Sequence, residues 1–300
     1  MTEVPERPLA TPQTTRALLR RFGIRPLKRF GQHFLVSERA LNRIIEAAAL
    51  SRDDSVLEIG AGLGTLSQAL AARAGYVTVV ELDRRLLSVL AEILSAYPNV
   101  RIVAGDALEI PVEELFGGAP AGPRKVVANL PYNIASPVLI RLLDPAVRIS
   151  RLVVTVQREV ADRITASPGT ASYGRLSIAV QFRGAARVVC RLPRGAFLPA
   201  PDVESAVVEI VLFGRPTVTV PDAAEFFRIV AAGFGQRRKM LLGALAHGLG
   251  LPAATIEAAC NACGVDPRVR AEQLDLEALG ALACALHPAL SRSATNAPHS

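Results

Sequence analysis

The chain has few cysteines, no long apolar run and, across one stretch near its start, no acid at all. Four cysteines in 300 residues, at positions 190, 260, 263 and 284, form no dense disulfide framework. The first residues carry prolines and glutamates where a signal peptide needs an apolar run, so a reducing cytoplasm is the expected location. No uninterrupted apolar stretch reaches the roughly 18 residues that span a bilayer, and no membrane partner is expected. Cys260-Asn-Ala-Cys263 has metal-ligand spacing, but no second pair or histidine cluster completes a tetrahedral site. These two read as small apolar residues on one helical face, and no metal is expected. Acids are missing between Arg16 and Arg29, where the chain places Arg16, Arg20, Arg21, Arg25, Lys28 and Arg29. A solvated helix face mixes signs, so this run, within a net charge of +7, points to a polyanionic partner. What is plentiful is apolar: at 50% hydrophobic, this length supports one large core and a smaller domain.

Residues 1–15, rich in Pro and Thr, are expected to be loose. Ser37 can cap a helix whose apolar positions Leu41, Ile44, Ile45 and Ala48 follow helical spacing. An alternation then begins. Strands are predicted over Ser55 to Ile59, Tyr76 to Leu82, Val100 to Ala104, Lys125 to Ala128 and Leu152 to Val156, with helices between them. That rhythm implies a doubly wound, mainly parallel α/β sheet. After Gln157 come helices near 158–166 and 174–182, then strands near 187–192 and 205–213 that suit an antiparallel edge. From about Val218 the apolar spacing is helical, which predicts a small C-terminal helical domain, and residues 289–300 are expected to be disordered.

Two places carry chemistry. The turn Gly60-Ala61-Gly62-Leu63-Gly64 follows the first strand and opens a helix, and Glu81 ends the next strand, where a carboxylate can accept hydrogen bonds from ribose hydroxyls. A dinucleotide site would place glycine where Thr65 stands, because its helix must receive a pyrophosphate. Carboxylates at Glu81 and Asp106 would also repel phosphates; they suit a nucleoside with a positive centre, such as S-adenosyl-L-methionine. The second place is Asn129-Leu130-Pro131-Tyr132 at the end of the fourth strand. It offers an amide oxygen, a carbonyl before a proline that stiffens the loop, and an aromatic face worth about 1–3 kcal/mol to a stacked base. The plainer alternatives, acids capping helices and a half-buried turn tyrosine, remain open at this point.

With these residues assembled, the chain from about Phe30 to Leu286 resembles the ribosomal RNA adenine N6,N6-dimethyltransferases of the small-subunit, kasugamycin-resistance type. The signatures are Arg29-Phe30-Gly31-Gln32-His33-Phe34-Leu35, Leu57-Glu58-Ile59-Gly60-Ala61-Gly62, Val80-Glu81-Leu82-Asp83 and Asn129-Leu130-Pro131-Tyr132-Asn133-Ile134. Tyr173-Gly174-Arg175-Leu176-Ser177, Phe197-Leu198-Pro199, Gln236-Arg237-Arg238-Lys239 and Asp266-Pro267 through Arg270-Ala271-Glu272 follow in the family's order. The resemblance implies a seven-stranded Rossmann-like methyltransferase domain over 16–215 and an RNA- or ribosome-binding helical domain over 216–288. It implies cofactor contacts from His33, Leu35, Gly60, Gly62, Glu81, Asp106 and Asn129. The target adenine would be held by Asn129, Leu130, Pro131 and Tyr132, with Phe197 on its other face. Arg25, Lys28, Arg29, Arg237, Arg238 and Lys239 would meet phosphates of 16S rRNA within the small subunit or its precursor, with a monomer as the acting form. Two positions depart from the family: His33 replaces the usual asparagine, and Ala61 replaces proline. The rival readings are a large-subunit methyltransferase of the macrolide-resistance type, whose loop is usually Asn-Ile-Pro-Tyr, a non-catalytic ribosome-assembly factor, and a nicotinamide-dependent dehydrogenase.

Overall fold

The structure, a computed structural model, describes residues 10–144, 146–236 and 238–295. It divides into two compact units: 10–162 with 185–214, and 163–184 with 215–295.

The first unit is built on seven strands: β1 (Ser55–Ile59), β2 (Tyr76–Glu81), β3 (Val100–Ala104), β4 (Arg124–Asn129), β5 (Arg151–Gln157), β6 (Gly184–Leu192) and β7 (Ser205–Leu212). Their order across the sheet is β3-β2-β1-β4-β5-β7-β6. Strands β1 to β5 pair in parallel, with Val56 opposite Val77 and Asn129 opposite Thr155, and β7 returns antiparallel, with Glu209 opposite Val153. The central strands are nearly continuous apolar runs because helices cover both faces of a parallel sheet: Val56, Leu57, Val126, Val127, Val153 and Val154 are fully buried. Acids interrupt this interior, and the most deeply buried is Glu58, next to the end of β1, at 1% exposure.

Local chemistry starts the helices. Ser37 caps Glu38–Ala48 by accepting from the Ala40 N–H, and Asp83 caps Arg84–Ile93 by accepting from the Arg85 N–H. The expectation of a loose segment through residue 15 is corrected: Pro12–Arg21 is a helix. Thr11 accepts from the Thr14 N–H, Pro12 occupies the first turn, and burial of Thr15 and Leu18 anchors the helix. Residues 1–9 lie outside the described part.

The second unit is helical: Arg175–Arg183, Ala223–Gly235, Leu241–Leu249, Ala253–Ala262 and Leu276–Thr295. Its core joins Phe182, stacked on Phe226 at 4.9 Å, to Leu245, Ile256, Leu282 and Leu286. Cys260 belongs to this core, and burial pushes its thiol up to about 11. The last helix corrects the expected disorder from residue 289. It runs through Pro288 to Thr295 because Leu290 still buries its side chain; 296–300 lie outside the described residues.

Candidate active site

The carboxyl ends of β1 to β4 open on a cavity of about 970 Å³, its mouth included. An open parallel sheet places its ligands there. The floor is the turn after β1, where backbone geometry excludes side chains. Gly60 has φ +75° and a Cβ there would stand 2.9 Å from the Pro131 ring; Gly62 has φ +61° and a Cβ would stand 3.0 Å from Phe34. The glycines therefore do two jobs: they turn the chain, and they let it pack against the 129–132 loop and the 33–35 segment.

Glu81 ties this floor to the second strand. Its Oε2 accepts from the Gly62 N–H and its Oε1 from the Asp83 N–H, both at 2.9 Å. Each oxygen keeps a second lone pair, so the carboxylate is oriented by backbone while still able to accept from a ligand. Burial raises its pKa, against the effect of those two hydrogen bonds. Glu58 lines the same cavity. Desolvation, reinforced by the nearby Glu81 carboxylate, lifts it to about 8. Asp106, at the end of β3, also faces the cavity, with Oδ1 accepting from the Leu108 N–H at 2.8 Å.

The opposite wall is the segment 30–35, stapled in place by Gln32. Its Nε2 donates to Asp83 Oδ2 and its Oε1 accepts from the Leu27 N–H, each at 2.8 Å. Asp83 in turn is held by Arg85, whose hydrogen bonds lower its pKa. Phe34–Leu35 forms a two-stranded antiparallel pair with Phe197–Leu198. Arg25 and Arg29 stand exposed just before this wall.

Asn129 ends β4, where its Nδ2 donates to the His33 carbonyl at 3.0 Å. That bond fixes the amide's orientation and leaves Oδ1 buried with no protein partner. Leu130 is 1% exposed and its N–H donates to the Thr155 carbonyl, while the Pro131 carbonyl accepts from the Ile134 N–H. The tetrapeptide is thus pinned on both sides. Tyr132 hydrogen-bonds Ser205 through its hydroxyl at 2.5 Å and stacks on the His33 ring at 5.2 Å, 25° from parallel.

Of the residues singled out in the sequence, the structure brings His33, Leu35, Gly60, Gly62, Glu81, Asp106, Asn129, Leu130, Pro131 and Tyr132 to one cavity. It does not bring Phe197 there. That ring is 2% exposed and packs in the hydrophobic core below the short strand pair. Arg238 and Lys239 are exposed in the helical unit; Arg237 and the side chain of Lys28 lie outside the described residues. Sequence reading gave no role to Glu58, although an acid inside an otherwise apolar strand is a visible signal. It also passed over Leu82, a cavity-lining leucine that is 46% exposed.

The donor set is a test of the cofactor. The lining holds Glu58, Glu81 and Asp106 and no lysine or arginine, with apolar Leu35, Ile59, Leu63, Val80 and Leu82 between them. A phosphate-bearing nucleotide would meet the carboxylates of Glu81 and Asp106 with no cationic side chain to offset them, whereas a nucleoside with a cationic sulfur and amine meets acids and an apolar floor. These residues fit S-adenosylmethionine, and the sheet and site together define a methyltransferase of the class that uses it.

Comparison with known proteins narrows the class. A sequence model described as ribosomal RNA adenine dimethylase matches residues 25–280. The chain is 43% identical to the ribosomal RNA small subunit methyltransferase A of Geobacillus thermodenitrificans, covering 93% of this chain and 97% of that one. It is 45% identical to the protein of the same name from Moorella thermoacetica, covering 90% and 95%. Among solved structures it is similar to a dimethyladenosine transferase from Plasmodium falciparum (TM-score 0.69, 25% identity, 85% of this chain and 98% of that one). It is likewise similar to the 23S rRNA methyltransferase ErmE (TM-score 0.65, 28% identity, 85% and 99%). The chain belongs to the ribosomal RNA adenine dimethylase family and is an S-adenosylmethionine-dependent rRNA adenine dimethyltransferase.

Among the described residues no helix is long and apolar enough to cross a membrane.

Proposed function

We propose that this enzyme transfers methyl groups to N6 of two adjacent adenines in a hairpin loop near the 3′ end of small-subunit (16S) rRNA, within the subunit or its precursor, during ribosome biogenesis in the cytoplasm. The observation that carries the chemistry is the buried, unpartnered Oδ1 of Asn129, in a cavity that Tyr132 also lines. The choice of small-subunit RNA rests on the 43–45% identity, over nine-tenths or more of both chains, to proteins named as small-subunit methyltransferases.

An adenine N6 amine is a weak nucleophile because its lone pair is delocalised into the ring. Asn129 Oδ1 accepts one N–H of that amine, which favours a tetrahedral nitrogen, and the Leu130 carbonyl accepts the other. Both dipoles face an atom that becomes positive, and both are already held, so little reorganisation accompanies reaction. Tyr132 stacks on the base. When bound, the cofactor supplies an electrophilic methyl group on a sulfonium. Glu81 and Asp106 would hold its ribose and adenine edges, with Gly60, Gly62, Leu35 and His33 completing the cavity that takes it. Phe197 joins the base-holding set only if its ring leaves the core.

RNA affinity comes from exposed arginines, Arg25 and Arg29 in the first unit and Arg238 with Lys239 in the second, which meet phosphates without reading bases. Four free cysteines accord with a cytoplasmic location. The test offers unmethylated small and large ribosomal subunits separately with methyl-labelled cofactor. Dimethyladenosine in small-subunit RNA is expected; no label in that RNA at saturating cofactor, or label in the large subunit alone, rejects the assignment.

A further inference from the structure

His33 does something in this structure that an asparagine could not. Its ring lies on Tyr132 with centroids 5.2 Å apart and planes 25° from parallel, a separation that leaves no room for a third ring. Its Nδ1 is 2.8 Å from the Pro199 carbonyl, and since a carbonyl only accepts, Nδ1 carries the proton and donates. Its own main-chain carbonyl receives the Asn129 amide at 3.0 Å. The imidazole is therefore a flat, nitrogen-bearing ring, stacked on the tyrosine and donating an N–H to a loop carbonyl, in the cavity that Asn129 also lines. The stack on Tyr132 is the contact an extruded adenine would take over. Phe197, the other aromatic of this neighbourhood, is in the core and does not compete for the position.

We propose that the His33 side chain is a placeholder for the target base: it covers the stacking face of Tyr132 until RNA arrives, and rotates away as the adenine enters. The inference rests on the base-holding role of Asn129 and Tyr132 and adds to it a specificity device. Only a flat base that takes over the stack on Tyr132 and gains hydrogen bonds of its own at Asn129 and Leu130 offsets loss of the ring's stack and its bond to the Pro199 carbonyl, and a flexible apolar or small polar group in the cavity mouth does not. His33 acts here on the substrate base, through the face it covers.

The test uses the full chain and a hairpin RNA that keeps the target adenine and carries 2-aminopurine as its stacking neighbour, whose fluorescence rises when the adenine is extruded. Binding is titrated without catalysis. His33→Asn removes the ring and should bind this RNA about tenfold more tightly than the wild type, the order expected when one ring stack and one hydrogen bond no longer have to be displaced. His33→Phe keeps a ring over Tyr132 but loses the hydrogen bond, and should gain clearly less than His33→Asn. A gain in affinity is a readout that mere loss of structure cannot produce. Equal or weaker binding by His33→Asn overturns the proposal, as does an equal gain in both variants. Tyr132→Ala in the same titration separates the two levels: if it leaves the fluorescence change intact, the base-holding reading itself fails, whatever His33 does.

Discussion

Glu58 offers a sharp test of the site's electrostatics. It sits in β1 at 1% exposure, its Oε2 has no hydrogen-bond partner, and burial holds its pKa at about 8 against an ordinary 4.5. The folded protein therefore binds a proton that the unfolded chain releases over the interval between those values. A raised folded-state pKa contributes stability that is complete below pH 4.5 and is lost as the pH rises to about 8. Within that window the slope is about 1.4 kcal/mol per pH unit, so the whole loss is roughly 5 kcal/mol. Glu58→Gln keeps the shape and stays neutral throughout. Its amide brings donors into the interior, which costs about 1–3 kcal/mol, but that offset does not depend on pH. The slope carries the test. Urea unfolding followed by circular dichroism, on wild type and variant from acid to alkaline pH, should show their difference shifting steadily in favour of the variant and levelling off above about pH 8. A flat difference across neutral pH would mean that Glu58 is ionised inside the folded protein, and would refute the reasoning.

Other perturbations address the site more directly. Asn129→Ala removes the oxygen proposed for the target amine, so turnover should fall about 10²–10³-fold while cofactor affinity by calorimetry falls much less; equal losses would count against that role. Gly60→Ala places a Cβ 2.9 Å from the Pro131 ring at φ +75°, and should lower stability in thermal unfolding by about 1–3 kcal/mol. An unchanged melting temperature would show that the turn is not pressed against the loop. Replacing Arg25 and Arg29 together by alanine should flatten the dependence of log affinity on log salt by about one for each phosphate that the arginines neutralise. An unaltered slope would remove both from the RNA surface.

Most of the first unit was legible before any tertiary information. Strands β1 to β5 fall within a residue or two of their predicted limits: the inner four because a strand buried on both faces is a nearly continuous apolar run, and the half-exposed edge strand β3 because Gly105-Asp106 marks its end. The short signatures placed the cavity's residues for the same reason: each is one strand end plus its turn. Two terminal readings failed where composition was weighed over position. Thr11-Pro12 is a helix start despite its loop-like residues, and Pro288 sits inside a helix that Leu290 holds on the core.

What the chain determined alone is therefore local: the strand and helix rhythm, the caps, the glycine turn and the chemical kinds of residue at the strand ends. Tertiary structure decided which of them meet. His33 faces Tyr132 and Asn129 from almost a hundred positions away, Tyr132 reaches Ser205, and Phe197 turns inward because Leu35 pairs with it. The proton on Glu58 belongs to the same category. Periodicity and propensity are properties of neighbours along the chain, whereas a stacked ring, an unpartnered amide oxygen and a desolvated acid come from sheet order and packing, which bring distant residues together and exclude water between them.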